Sequence, residues 1–285
     1  MMLPELFIDA RATLGESPAW DAKTQTLYWV DVLERHVYAG AKRILQLDDY
    51  VGCLAPRVAG GLILAQRRGF RLVMPDMKSI KKLPSPRREP QYNRFNDGKC
   101  DPRGRFVAGT MDHNEKEDSG ALYSLTSDGQ ARKLLTHVRI SNGLAWSPDG
   151  RTMYFIDTPS RKVLAFDYHL ETGDLSNGRA IIQFDKSFGW PDGMTSDTDG
   201  NLWIAMWGGA RISQWNPNGT LLAQFGVEAM NVTSCVFGGP GMNELFITTG
   251  LAGTDAAAFR RFPQAGGIFR METHVIGMPT YEFEG

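Results

Sequence analysis

The feature that most narrows the possible folds is a repeat. The segment "ISNGLAWSPDGRTMYFID" (140–157) returns in outline as "WPDGMTSDTDGNLWIAM" (190–206). Each has a polar residue and a glycine, a short segment, an Asp-Gly turn and an aromatic-rich run. Comparable strand-like runs are "LYWVD" (27–31), "GLILAQ" (61–66), "RFVAGTM" (105–111), "MYFID" (153–157), "LWIAM" (202–206) and "ELFITTG" (244–250). Between their central residues (Tyr28, Ile63, Phe106, Tyr154, Trp203 and Phe246) the steps are 35, 43, 48, 49 and 43 residues. A second run follows each one: "RHVYAG", "FRLVMPD", "GALYSL", "KVLAFDY", "RISQWN" and "GGIFRM". Asp, Asn and Gly turns punctuate the series, and no long amphipathic helix interrupts it.

Self-similarity at this period, with several strands per unit, points to a β-propeller. Each unit is a small sheet that cannot bury both faces alone, so the units pack radially around a channel. The expected fold is therefore all-β, a six-bladed β-propeller with a central channel metal site, and a single domain over residues 1–285. The N-terminal "ELFIDA" is expected to supply a strand to the last blade and close the ring. A pair of β-sandwiches would not require the same turn at the same phase in every unit.

Composition removes several function classes. With 31 basic against 32 acidic residues, the net charge of -1 leaves no basic footprint for nucleic acid or an anionic membrane. The basic stretch "KSIKKLPSPRR" (78–88) carries prolines and reads as a solvated loop. No signal peptide is visible at the N-terminus, and no apolar run reaches membrane-spanning length. Cys53, Cys100 and Cys235 are odd in number and lack a C-x-x-C spacing. They read as reduced, mostly buried thiols, and the expected location is cytoplasmic. The histidines (His36, His113, His137, His169 and His274) show no paired spacing and are expected at the surface or rim.

Aligned on the turn, the units place a polar residue at one phase. Glu16, Asn96, Asn142 and Asp192 each lie five positions before Asp21, Asp101, Ser147 and Asp197, respectively. The sixth unit offers Thr233 there, and the second only small residues near Gly52. The innermost strand of a blade starts near one mouth of the channel, so these residues are expected to form a ring around it. Two carboxylates facing each other out of water need a cation or a proton between them. An all-oxygen donor set suits a hard divalent ion such as calcium or magnesium, or manganese, better than a zinc-selective site.

The same residues carry a family resemblance. "LGESPAWD", "NRFNDGKCDPRGRF", "GALYSL", "ISNGLAWSPDG", "PDGM" with "GNLWIA", and "AGGIF" resemble the blocks of the regucalcin (senescence marker protein)/gluconolactonase family, over residues 6 to 272. The resemblance implies a six-bladed propeller with one divalent cation, whether calcium, magnesium, manganese or zinc. It implies hydrolysis of a small-molecule sugar lactone, of gluconolactone or pentonolactone type. By the same resemblance Glu16, Asn142 and Asp192 bind the metal, Asp192 also serves as general acid/base, and Arg94 and Asn96 hold the sugar. The loop "DHNEKEDSG" is shorter than in animal regucalcins, which place a substrate-contacting glutamate there; Asn114 or Glu115 is the candidate for that place. This loop and "MWGGARI" are more similar to bacterial sugar lactonases. Trp190 and Trp207 flank the site in sequence, either as a platform for a sugar face or as core.

No covalent route is visible, since "GESPA" ends in Ala19 where G-x-S-x-G requires a second glycine, and no Ser-His-Asp order is present. No phosphate-cradling or dinucleotide-binding glycine motif occurs. Two other readings remain at this stage. One is an organophosphate or aryl-ester hydrolase using the same metal; the other is a non-catalytic calcium-binding propeller.

Overall fold

The structure is a computed structural model, and it describes residues 3–86 and 88–285. Its strands form six four-stranded antiparallel sheets, the six blades expected from the repeat. Their innermost strands are, in sequence order, Gly15–Asp21, Val51–Pro56, Asn93–Cys100, Ser141–Trp146, Trp190–Ser196 and Asn231–Gly238. Glu5–Ile8 pairs antiparallel with Ile268–Glu272 on the outside of the sixth blade, so N-terminal and C-terminal segments share one sheet and lock the ring.

Burial explains why the first run of each unit, which forms the second strand of its blade, is so apolar. Leu62–Gln66 and Phe106–Asp112 are buried along their whole length, because neighbouring blades cover both faces. The outer strands, by contrast, are wet: Ile80–Lys82 is exposed throughout, and Asp174–Gln183 mostly so. Aromatic side chains fill the wedges between blades. Phe70 of the second blade meets Phe95 of the third at 4.8 Å between ring centroids, and Trp20 of the first stacks on Phe246 of the sixth at 5.3 Å.

One expectation is corrected here. The basic stretch 78–88 is not wholly a loop: residues 80–82 form the outer strand of the second blade. Lysines on a short edge strand keep it from pairing with another molecule, so the basic character and the strand are compatible. Residue 87 lies outside the described residues. The three cysteines are free and buried, as expected.

Every innermost strand carries a register shift near its start. The shifts fall between Glu16 and Ala19, Val51 and Cys53, Phe95 and Gly98, Asn142 and Leu144, Pro191 and Met194, and Val232 and Ser234. A bulge bends the strand and re-aims a side chain that the alternating pleat would send between the blades. The glycine after the polar residue has a separate cause. A Cβ on Gly143 would lie 2.7 Å from the Asp192 carbonyl oxygen, and one on Gly193 would lie 2.1 Å from the Ser234 hydroxyl oxygen. Adjacent innermost strands come too close there for any side chain.

At the far mouth of the channel the C-terminal segment crosses between blades. The Phe283 amide donates to the Pro56 carbonyl at 2.8 Å, the Glu284 amide to the Gly104 carbonyl at 3.1 Å, and the Thr198 amide to the Ile276 carbonyl at 2.8 Å. Lys99, Trp146, Ser196 and Tyr281 line a cavity of about 50 Å³ beneath it.

This crowding makes Gly193→Ala destabilising by about 1–3 kcal/mol, as for other overpacked cores. Gly226→Ala, where an added Cβ meets nothing within 4 Å, should change stability far less. Urea midpoints of the two variants check this; equal midpoints would contradict it.

Candidate metal centre

The starts of the innermost strands bring Glu16, Asn96, Asn142 and Asp192 to one mouth of the channel, around a cavity of about 510 Å³. Leu14, Met111, Ile140, Trp190 and Trp207 give it apolar walls, and Arg94, Glu115 and Arg139 give it polar ones. Thr233, at the same phase in the sixth blade, is fully buried and shares a hydrogen bond with Thr248 at 2.8 Å. It also donates to the Gly15 carbonyl, so it ties the sixth blade to the first.

Glu16, Asn142 and Asp192 are buried, at 8, 4 and 6% relative exposure. The Glu16 carboxylate accepts from the Ser17 amide at 3.0 Å. Ser17 sits on the bulge in the left-handed region, with φ of 49°. Its hydroxyl accepts from the Leu54 amide of the next blade at 2.9 Å, which holds this uncommon conformation in place.

Thr158 sets the orientation of Asn142. Its hydroxyl donates to the Pro191 carbonyl at 2.8 Å, so it can only accept from the Asn142 amide, 3.0 Å away. The amide nitrogen is thereby held on Thr158, and Oδ1 is left buried without a partner. Oδ1 of Asp192 is likewise buried without a partner. Unsatisfied buried oxygens are costly and rare, and two on neighbouring blades at one cavity are what a hard cation would use. Among the described residues no group of three or more His, Cys, Asp or Glu side chains gathers as a metal cluster. The candidate set is instead mixed, two carboxylates and one amide oxygen. No histidine lines the cavity.

A third carboxylate reaches the same electrostatic environment. Asp97 accepts from the Gly98 amide at 2.7 Å through Oδ1, while its Oδ2 is buried and unpartnered. Burial first and the charge of Asp97 second push the Glu16 carboxyl up to about 8. Burial, then Glu16 and Asp97, hold Asp192 well above the usual carboxylate range. Lys99, whose ammonium donates to the Met194 carbonyl, is pulled down by burial and back up by Asp97.

Arg94 is buried, and burial lowers its guanidinium while Glu115 and then Glu16 favour the charge. It donates to the Phe95 carbonyl at 3.1 Å and to Oδ1 of Asn96 at 2.6 Å. Asn96 in turn donates to the Ser141 carbonyl at 2.9 Å. Both ends of the Asn96 amide are therefore engaged, and it braces Arg94. Glu115 lies at the mouth of the cavity on an exposed turn, with φ of 59°, and its carbonyl accepts from Arg139 at 3.3 Å. Asn114 is exposed and is not among the lining residues.

Sequence reasoning missed Thr158, Asp97, Lys99 and Arg139. Asp97 was visible in "FNDGKC" as the residue after Asn96, but reads there as a turn residue. Thr158 follows the second strand of its blade and carries no phase signal at all.

The family described as SMP-30/Gluconolactonase/LRE-like region matches residues 14–251. Regucalcin of Danio rerio is 39% identical over 290 residues, covering 99% of this chain and 98% of that protein. A Bacillus subtilis (strain 168) protein named as a putative sugar lactone lactonase, YvrE, is 36% identical, covering 97% of each. The crystal structure of a calcium-binding protein, regucalcin, from Agrobacterium tumefaciens strain C58 superposes with a TM-score of 0.92 at 25% identity, covering 98% of this chain and 97% of that one.

The raised carboxyls make stability depend on pH. In metal-free protein the Glu16 carboxyl goes from 4.5 unfolded to about 8 folded, so the folded state binds more protons in between. Stability then falls as pH rises from 4.5 through about 8, and Asp192 adds in the same direction. A divalent cation among these oxygens should remove that loss, most strongly at the alkaline end. Thermal melts across this range, with chelator and with calcium, read it directly; parallel profiles would contradict it.

Proposed function

The chain belongs to the SMP-30/gluconolactonase/LRE-like family, and on that footing we propose that it is a divalent-cation-dependent sugar lactonase. In this reading the cation sits among Glu16, Asn142 and Asp192, and the reaction opens an aldonolactone of gluconolactone or pentonolactone type to the aldonic acid. The observation that carries it is the pair of buried, unpartnered oxygens, Oδ1 of Asn142 and Oδ1 of Asp192, on a cavity that also presents Arg94. The oxygen-only set favours calcium, magnesium or manganese over zinc.

Such a cation supplies Lewis acidity toward the lactone carbonyl. Asp192 accepts the proton of the attacking water at the carboxylate oxygen not given to the cation. The new C–O bond forms as the carbonyl carbon becomes tetrahedral; the C=O bond then re-forms as the ring C–O bond breaks, and Asp192 returns the proton to the departing ring oxygen. An ionised carboxylate is a weak base, so its help stays within the range of about 10²–10⁴ usual for general acid–base catalysis. Arg94, braced by Asn96, donates to substrate hydroxyls. Within its loop Glu115 lines the cavity and Asn114 does not, which supports Glu115 as the residue that meets substrate. Leu14, Met111 and Ile140 give the cavity apolar lining that disfavours bulk water beside the carboxylates.

Relatives named regucalcin also support a second reading, calcium binding without catalysis. It has no use for a buried arginine facing a cavity of about 510 Å³ beside the oxygens. The Arg94–Asn96 pair likewise favours a hydroxylated substrate over an aryl ester or phosphotriester.

Chelated protein should release no acid above background from a panel of aldonolactones, and one of calcium, magnesium, manganese or zinc should restore turnover. Asp192→Ala should lose at least about 10²-fold in kcat. Thr158→Val, which frees the Asn142 amide to turn, should weaken cation affinity by about 10–100-fold in calorimetry. Restored calcium binding with no turnover on any lactone would select the second reading.

A further inference from the structure

Trp190 is a large apolar side chain left in the open beside the catalytic carboxylate. It starts the innermost strand of the fifth blade two residues before Asp192, lines the cavity, and is 41% exposed. It is also held rigidly. The guanidinium of Arg161 lies 3.6 Å from its ring centroid and donates to the Gly189 carbonyl immediately before it. Arg161 covers one face of the indole, and it is Trp190, not Arg161, that lines the cavity. The strand on either side is fixed as well: Trp190 pairs in register with Trp207, and the Pro191 carbonyl accepts from Thr158.

An indole with one face covered by a cation and the other open to a cavity is a stacking surface. A structural tryptophan would be buried, as Trp29 and Trp203 are in this protein. The rest of the cavity says what would stack. Arg94 offers donors for hydroxyls on one wall, and the free indole face offers an apolar, electron-rich plane on another. A ligand that uses both has an apolar flat face and a polar edge, which describes a closed sugar ring and not its acyclic form.

We propose that Trp190, braced by Arg161, stacks on the C–H face of a ring-closed sugar and is a specificity-determining residue that distinguishes the lactone from its acyclic acid. Ring opening removes the flat face, so the product loses this contact and leaves. The inference rests on the sugar-lactone reading for its substrate, and its test is built to separate the two.

The non-hydrolysable ring 1,5-anhydro-D-glucitol and the acyclic polyol D-glucitol serve as probes with cation-loaded full-length protein, followed by calorimetry and tryptophan fluorescence. Wild type should bind the ring more tightly than the acyclic polyol by about tenfold, the scale of one aromatic contact with its buried area. Trp190→Ala should erase that preference and raise the KM for lactone by about five- to twentyfold, with kcat and calcium affinity little changed. Trp190→Phe should keep most of both, and Arg161→Met should fall between. Unchanged KM and unchanged ring preference in Trp190→Ala would overturn the proposal while leaving the lactonase reading intact. A wild type that binds the ring through Trp190 but opens no lactone would overturn the lactonase reading and leave the stacking surface. Equal binding of ring and acyclic polyol by wild type would overturn the stacking role directly.

Discussion

Six innermost strands crowd around one channel, and the shared register shift near their starts is the constraint on which the site depends. In a regular pleat a polar residue at that position would alternate away from the mouth. The bulge turns it inward, and the glycine beside it lets the neighbouring strand close up. Asn142-Gly143 and Asp192-Gly193 each perform both tasks: Gly143 packs under the Asp192 carbonyl, and Gly193 packs against Ser234. The geometry of the candidate centre is therefore a consequence of how blades pack, and it is as rigid as the packing.

That rigidity has an electrostatic cost. Glu16, Asp97 and Asp192 influence one another in a buried setting, and their carboxyls are pushed up, with Glu16 reaching about 8. Arg94 and Lys99 offset part of the charge but are themselves destabilised by burial. A hard divalent cation bound there would relieve the repulsion and satisfy the two unpartnered oxygens at once. The free energy that makes the metal-free site unfavourable would then become affinity for the ion.

Much of this was legible in the sequence because the fold is periodic. The blade count follows from the spacing of Tyr28, Ile63, Phe106, Tyr154, Trp203 and Phe246, and the closing strand from "ELFIDA". The ring of Glu16, Asn96, Asn142 and Asp192 follows from phase alone, because equivalent positions on different blades meet at the channel. What escaped detection has no phase. Thr158 acts through hydrogen bonds to Asn142 and Pro191 that join residues distant in sequence. Arg161 reaches Trp190 across 29 positions, and the choice between Trp190 as platform and as core turns on its exposure, which spacing does not encode. Residues 80–82 form a strand whose lysines and neighbouring prolines read as loop, because an outer edge strand buries nothing. Asn96 sits in the ring as expected, yet its amide is already engaged by Arg94 and Ser141, a distinction only geometry reveals.

Everything in the proposed chemistry requires Glu16, Asn142 and Asp192 to hold one divalent cation together in the channel. Anomalous diffraction from a crystal grown with manganese tests it most directly. A single strong peak is expected at this mouth of the channel, about 2.0–2.6 Å from oxygens of all three side chains. A peak that leaves Asn142 Oδ1 without a contact, or no peak at saturating manganese, would contradict it.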